Sequence, residues 1–500
     1  MTNRIFSYRL IICFVLFAGF VCANGAETPS IQPSDGDNLA LEALSPTHLI
    51  VSLTHPVHNW FSGNFTSLST DQRTSIELSM DGNATERNTA DVTKWVGLRP
   101  VMTHADPTKY ESYEWFEKDA QGRWVSGDPF KTSEARFAGN AKLPQQQAIS
   151  DAVAAQFLSS DGHFWSPWRE VDHAVAQPEI NCLHMEQQFA TSNATIAMRV
   201  PYTYTYEQAF IAKLQSAKLK GVFVDEIGTT PENRKIQVIR LEPMVNDAMS
   251  TDHPTVLVYA REHATEPDSS WAVEGLLRWL LSDDADARLN RSRMTWLIIP
   301  LLDLDSASSA TFKTGDFFRA VDPVMPEALL YAKYLIKRLD VGGSIDIAVN
   351  LHNMECAEGA NLCCPLVDKI RQQPVTQLNQ TVFEKMRAAG YTIGDPAGMQ
   401  IGFAKSRLAG WCAHRFGTLD LAFEVNSRDP NARMNLQRLQ QVGAFLACEL
   451  DSFSRTPAFS AIKNEIRQRL AERKTQLTTW WASVERTPDT SIPYDTFMGY

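Results

Sequence analysis

His263 and Glu266 stand three residues apart in Arg261-Glu262-His263-Ala264-Thr265-Glu266. A turn can bring an imidazole and a carboxylate at that spacing onto one ion, and both are good Zn²⁺ ligands. An H-x-x-E pair alone is a weak signal, because many occur by chance. A third ligand is needed, and beyond residue 200 the histidines are His253, His263, His352 and His414. His352 follows an apolar run at 345–351. Its other reading is a core histidine bonded to backbone. Glu424 sits inside Leu421-Ala422-Phe423-Glu424-Val425. A carboxylate there is costly to bury unless it is paired or put to use. Beside a metal it would act as a general base for water. Otherwise it would form an ion pair with Arg407 or Arg428.

These residues need a frame that holds them together. Residues 255–260, 294–301, 345–351 and 419–425 are mainly apolar runs of strand length, as expected of strands buried on both faces. Residues 236–241 are more mixed and read as a strand nearer an edge. Amphipathic stretches at 270–281, 327–339 and 377–389 alternate with them. The alternation predicts an α/β domain with a mixed, mostly parallel sheet flanked by helices. In such sheets sites form beyond the carboxyl ends of strands. His263, Glu266 and His352 all fall there, whereas His253 precedes its strand.

The chain ahead of residue 200 reads differently. Short β-type runs at 49–53 and 75–80, with Asp81-Gly82 and Ser62-Gly63-Asn64 as turn signals, predict an all-β sandwich. Helical periodicity shows there only around 146–157. Trp60, Trp95, Trp115, Trp124, Trp165 and Trp168 lie in this stretch. Core filling is the expected role of these rings, and a carbohydrate platform is the alternative. Residues 458–483 form a polar amphipathic helix. The expected division is a signal peptide at 1–26, a β-sandwich domain at 27–200, a catalytic domain at 201–455 and a helical tail at 456–500.

Arg4 and Arg9 precede an apolar run at 10–21, followed by small residues at Ala23 and Ala26. The run is shorter than the roughly 20 residues that span a bilayer core. It reads as a secretory signal, so the expectation is an exported protein, periplasmic or secreted, with no membrane span once it is cleaved. Six of the 8 cysteines lie beyond it: Cys182, Cys356, Cys363, Cys364, Cys412 and Cys448. Export permits disulfides, and spacing leaves their pairing open. The formal net charge of −11 disfavours a general nucleic-acid binder. A serine hydrolase is a poor fourth reading, because no G-x-S-x-G motif occurs.

The order H-x-x-E, then one distant histidine, then a late glutamate 72 residues on, resembles the zinc carboxypeptidases of the carboxypeptidase A superfamily. The likeness is nearer to the cytosolic-carboxypeptidase-like branch, which carries a β-sandwich before the catalytic domain and a Pro-Tyr-Thr-Tyr junction. Pro201-Tyr202-Thr203-Tyr204 stands at that boundary here. The resemblance implies one Zn²⁺ ion held by His263, Glu266 and His352, with Glu424 as general base and later proton donor. It implies that Asp316 hydrogen-bonds His263 and that Arg319 binds a substrate carboxylate. The implied reaction is hydrolysis of a peptide amide bond, C-terminal or side-chain-linked, in a peptide or protein substrate.

The sequence departs from the family pattern in places. Phe318 stands where an asparagine helps hold the carboxylate, and Asn350 stands where an aspartate precedes the second histidine. Lys313 is the cation between 305 and 319, where an arginine polarises the scissile carbonyl. Phe403 lies near the place of the family's tyrosine. The alternatives left open are an impaired peptide-binding relative, and an amidase or deacylase of the same fold.

Overall fold

The structure is a computed structural model. It describes residues 28–32, 35, 37–54, 60–79, 92–104, 114–118, 124–127, 164–165, 168–245, 248–249, 253–282, 284–309, 318–319, 322–323, 325–340, 343–354, 360, 362–363, 372–394, 407–428 and 436–484. The expected signal segment at 1–26 and the helix expected at 146–157 lie outside the described residues.

Ahead of residue 200, two five-stranded sheets face each other. One is ordered Ser30–Gln32, Ser62–Thr66, Ala194–Ala197, Val101–Thr103, Arg169–Glu170. The other is ordered His173–Gln177, Cys182–Gln187, Thr74–Ser79, His48–Leu53, Leu39–Ser45. Alternation along His48–Leu53 and Thr74–Ser79 buries every second side chain, the period of a strand with one face on a core. Leu49, Val51, Ile76 and Leu78 meet Phe65, Met102 and Ile196 of the opposite sheet there. This is the expected sandwich. Trp60, Trp95 and Trp168 are buried, which matches the core-filling role.

Beyond residue 200 a seven-stranded mixed sheet forms. Its strands are β1 (Val222–Thr229), β2 (Lys235–Leu241), β3 (Thr255–Ala260), β4 (Thr295–Ile299), β5 (Ile347–Asn353), β6 (Leu362–Cys363) and β7 (Leu419–Val425). The order across the sheet is β1-β2-β4-β3-β5-β7-β6. The central four, β4, β3, β5 and β7, run parallel, and the outer pairings are antiparallel. Strands β3 and β4 are buried at every position, so their continuous apolar runs follow from cover on both faces.

Helix α1 (Tyr204–Ala217) opens this region, capped by Thr203, whose side chain accepts from the Tyr206 amide. Helix α2 (Pro267–Leu280) follows β3, and α3 (Leu408–Phe416) precedes β7. Helix α4 (Leu436–Ser454) lies against α2 at very close range. A Cβ at Gly275 would collide with the Gln440 backbone, and one at Gly443 with the Ala272 carbonyl. Glycine at both crossing points lets α2 be enclosed on nearly all sides, which fixes the position of its N-terminus. The last helix, Pro457–Val484, buries Phe459, Ile462 and Ile466 in the same core. Among the described residues no helix is long and apolar enough to cross a membrane.

Candidate metal centre

Three segments meet at the carboxyl ends of β3, β5 and β7. After β3 the chain turns sharply at Arg261, which adopts a left-handed φ of 61°. That conformation costs about 1–2 kcal/mol for a residue with a Cβ. The buried Arg261 side chain holds the turn by donating to the carbonyls of Tyr202 and Ala264. His263 follows in the turn, and Glu266 takes the N-cap position of α2.

Pro267 suits the first helical position because its missing N–H is one the helix cannot use. Glu266 does not cap the helix with its side chain. The Asn353 side chain accepts from the Ser269 amide at 2.9 Å instead. The Glu266 carboxylate is thereby released to face two imidazoles, close to the positive end of the helix.

Glu266 Oε1 lies 2.8 Å from His263 Nδ1, and Oε2 lies 2.9 Å from His352 Nδ1. The Asn353 amide donates to Oε2 at 3.1 Å. The two rings stand 4.7 Å apart between centroids. Ligand atoms of His263, Glu266 and His352 all lie within 4.8 Å of one another, the only such group of three or more among the described residues. His352 lies within β5, one position before its last residue, and is buried.

Burial opposes charge on Glu266, but the two imidazoles outweigh it and hold its carboxyl far below the usual carboxylate range. Burial, with the charge of Arg407, pushes His352 down to about 3 despite Glu266. Burial also disfavours the charged form of His263, yet the Glu266 carboxylate raises it above its ordinary value. An ionised carboxylate and a neutral imidazole are the forms a metal requires. Two nitrogens and a carboxylate at this separation fit Zn²⁺, with His263 giving up its proton on binding.

Glu424 lies on β7 directly beside His352, its register partner on β5. It is buried, with 8% of its surface exposed. Arg428 donates to the Arg99 carbonyl at 2.7 Å and approaches Glu170 at 4.0 Å. Arg407, at the N-cap of α3, is the cation that acts here. Burial works against its charge, and Glu262, Glu424 and Glu266 more than compensate.

One residue beneath the site, Glu262, escapes a sequence reading. Glu262 is fully buried. It accepts from Asn350 Nδ2 at 2.7 Å, the Leu408 amide at 3.1 Å and the Tyr259 hydroxyl at 3.3 Å. Burial raises its pKa to about 7, against the pull of Arg407 and His263. Asn350 explains one departure from the family pattern: an aspartate there would face the buried Glu262 carboxylate with no proton to donate. Nothing in the hexapeptide around His263 distinguishes Glu262 from a solvated loop residue.

Asp316, expected beside His263, lies outside the described residues, as do Lys313 and Phe403. Arg319 lies in the short strand Phe318–Arg319, paired in backbone register with Asp322. The structure describes no more of its surroundings. Cys412 and Cys448 carry free thiols.

The zinc carboxypeptidase family pattern matches residues 207–309. Bovine cytosolic carboxypeptidase 3 is 22% identical over 161 residues, 30% of this chain and 16% of the relative. Mouse cytosolic carboxypeptidase 2 is 26% identical over 176 residues, 33% of this chain and 20% of the relative. The match thus spans a fifth or less of these relatives' length. A metallo-carboxypeptidase from Burkholderia cenocepacia, 15% identical, shares the fold with a TM-score of 0.59 over 85% of this chain and 99% of that one. The expectation of an exported protein is corrected by the curated relatives, which are cytosolic enzymes by name. Residues 207–309 therefore carry the zinc carboxypeptidase pattern, and the curated proteins that the chain resembles over part of its length are cytosolic carboxypeptidases.

Proposed function

We propose that this protein is a zinc-dependent metallocarboxypeptidase-like hydrolase that cleaves a peptide amide bond, C-terminal or side-chain-linked. The observation that carries the reading is the convergence of His263, Glu266 and His352 within 4.8 Å, with Glu424 on the neighbouring strand. These three side chains would hold the ion. Zinc there would supply Lewis acidity, polarising the scissile carbonyl and making water a usable nucleophile near neutral pH.

The chain's own groups do the rest. Glu424 accepts a proton from the attacking water at its carboxylate and delivers it to the leaving amine. Its slight exposure lets water and substrate reach it, and the low-dielectric wall around it strengthens each charge interaction. Arg407 offsets the negative charge gathered by Glu262, Glu266 and Glu424. Arg319 is our candidate for gripping a substrate carboxylate, a role suited to a planar fork, and Asp316 our candidate partner for His263.

Digestion of a peptide library by the zinc-loaded protein, read by mass spectrometry, tests the reading. Loss of C-terminal or side-chain-linked residues that disappears in Glu424→Gln supports it. Peptide binding without cleavage favours the impaired relative, to which Phe318 beside Arg319 points. Release of acyl groups alone favours a deacylase.

A further inference from the structure

The segment joining the sandwich to the α/β region is bonded into the metal centre. Trp271 Nε1 donates to the Val200 carbonyl at 3.1 Å, and Arg261 Nη1 to the Tyr202 carbonyl at 3.1 Å. The strongest link is Arg199, two residues past the strand Ala194–Ala197 of the front sheet and 1% exposed.

Its guanidinium reaches three separate segments. Nη1 donates to Asp268 Oδ2 and, at 3.3 Å, to Asn426 Oδ1. Nη2 donates to the Met354 carbonyl at 2.9 Å. Asp268 lies two residues after Glu266, Met354 two after His352, and Asn426 two after Glu424. One side chain therefore ties together the chain just beyond two of the candidate ligands and the candidate base. Cross-links close the cluster: the Ser427 amide donates to Asp268 Oδ2 at 2.8 Å, and the Met354 amide to the Val425 carbonyl at 2.9 Å.

We propose that Arg199 is a positioning residue of the active centre, setting the spacing of Glu266, His352 and Glu424 from the sandwich side. This rests on the zinc-hydrolase reading above. Its guanidinium satisfies three acceptors in a fixed planar geometry, which an ammonium cannot reproduce. An arrangement built this way is rigid because the acceptors lie in one helix and just past the ends of two strands. The sandwich thereby contributes to the centre without supplying a ligand to it.

The test uses the full chain. Arg199→Met/Asp268→Asn removes both buried charges together, so neither is left unpaired. Thermal melting, zinc affinity by competition with a chelating dye, and kcat and KM on a cleaved peptide are measured. The expected result is a cooperative melt, zinc affinity about 10- to 100-fold weaker, and a loss carried by kcat with KM little changed. Arg199→Lys keeps a cation beside Asp268 and guards against misfolding of the double variant; it is expected to fall between the two. Wild-type zinc affinity and kcat in both variants overturn the proposal alone. A wild-type protein that binds no zinc overturns the hydrolase reading, and this proposal with it.

Discussion

His352 and Glu424 are register partners on adjacent parallel strands, although 72 residues separate them in the chain. Partners in a parallel pair point to the same face, and neighbouring strands lie about 5 Å apart. A candidate ligand and a candidate base are thus set side by side by backbone pairing alone. The pairing continues to Asn353 and Val425, which carries β5 past the histidine.

Glu424→Gln keeps the size and hydrogen-bonding reach of the side chain and removes its basicity. We expect kcat to fall by about 10²- to 10⁴-fold, with the zinc content of the protein unchanged. Steady-state kinetics and metal analysis on one preparation check this. Loss of zinc together with activity would show a structural role for Glu424.

Much of this was legible in the sequence. Strands β3 and β7 fall where mainly apolar runs predict them, and in β3 burial at every position writes itself into composition. His352 was expected just past its strand and lies within it, since pairing with β7 extends β5 by two residues. Helix α1 escaped periodicity because its buried side includes Glu207 and Tyr206, polar groups satisfied only by tertiary partners. Glu262 and Arg199 escaped for the same reason. Their roles depend on which distant atoms they meet, and local pattern carries no record of that.

Zinc should stabilise the fold through the same three side chains. At a free zinc concentration 100-fold above the dissociation constant, the gain is about 2.7 kcal/mol. Melting curves with and without zinc should separate for the wild type and coincide for His352→Ala. Coincident wild-type curves would argue against a preformed site.

Asn350→Leu removes one donor from the buried Glu262 carboxylate, at an expected cost of about 1–3 kcal/mol. Asn350→Asp should cost more at pH 8 than at pH 5, because two adjacent buried carboxyls cannot both ionise readily. Denaturant titrations at the two pH values measure this. Equal losses would show that the residue at 350 does not feel Glu262.

Glu207 gives a pH signature away from the metal. Burial raises its pKa to about 8, against Arg261 and with Glu274 adding to it. The unfolded chain titrates near the ordinary value of 4.5, so between those limits the folded state holds the extra proton. Stability from this group is full below about 4.5 and is lost as pH rises towards 8. Glu207→Gln should therefore flatten the fall in melting temperature over that window. An unchanged slope would place the titration elsewhere.

The most direct measurement follows peptide hydrolysis by the wild-type chain before chelation, after chelation, and after Zn²⁺ is restored. The account predicts cleavage that vanishes with the metal and returns with it. Cleavage that persists in metal-free protein, or none from a chain shown to hold one zinc ion, would contradict it.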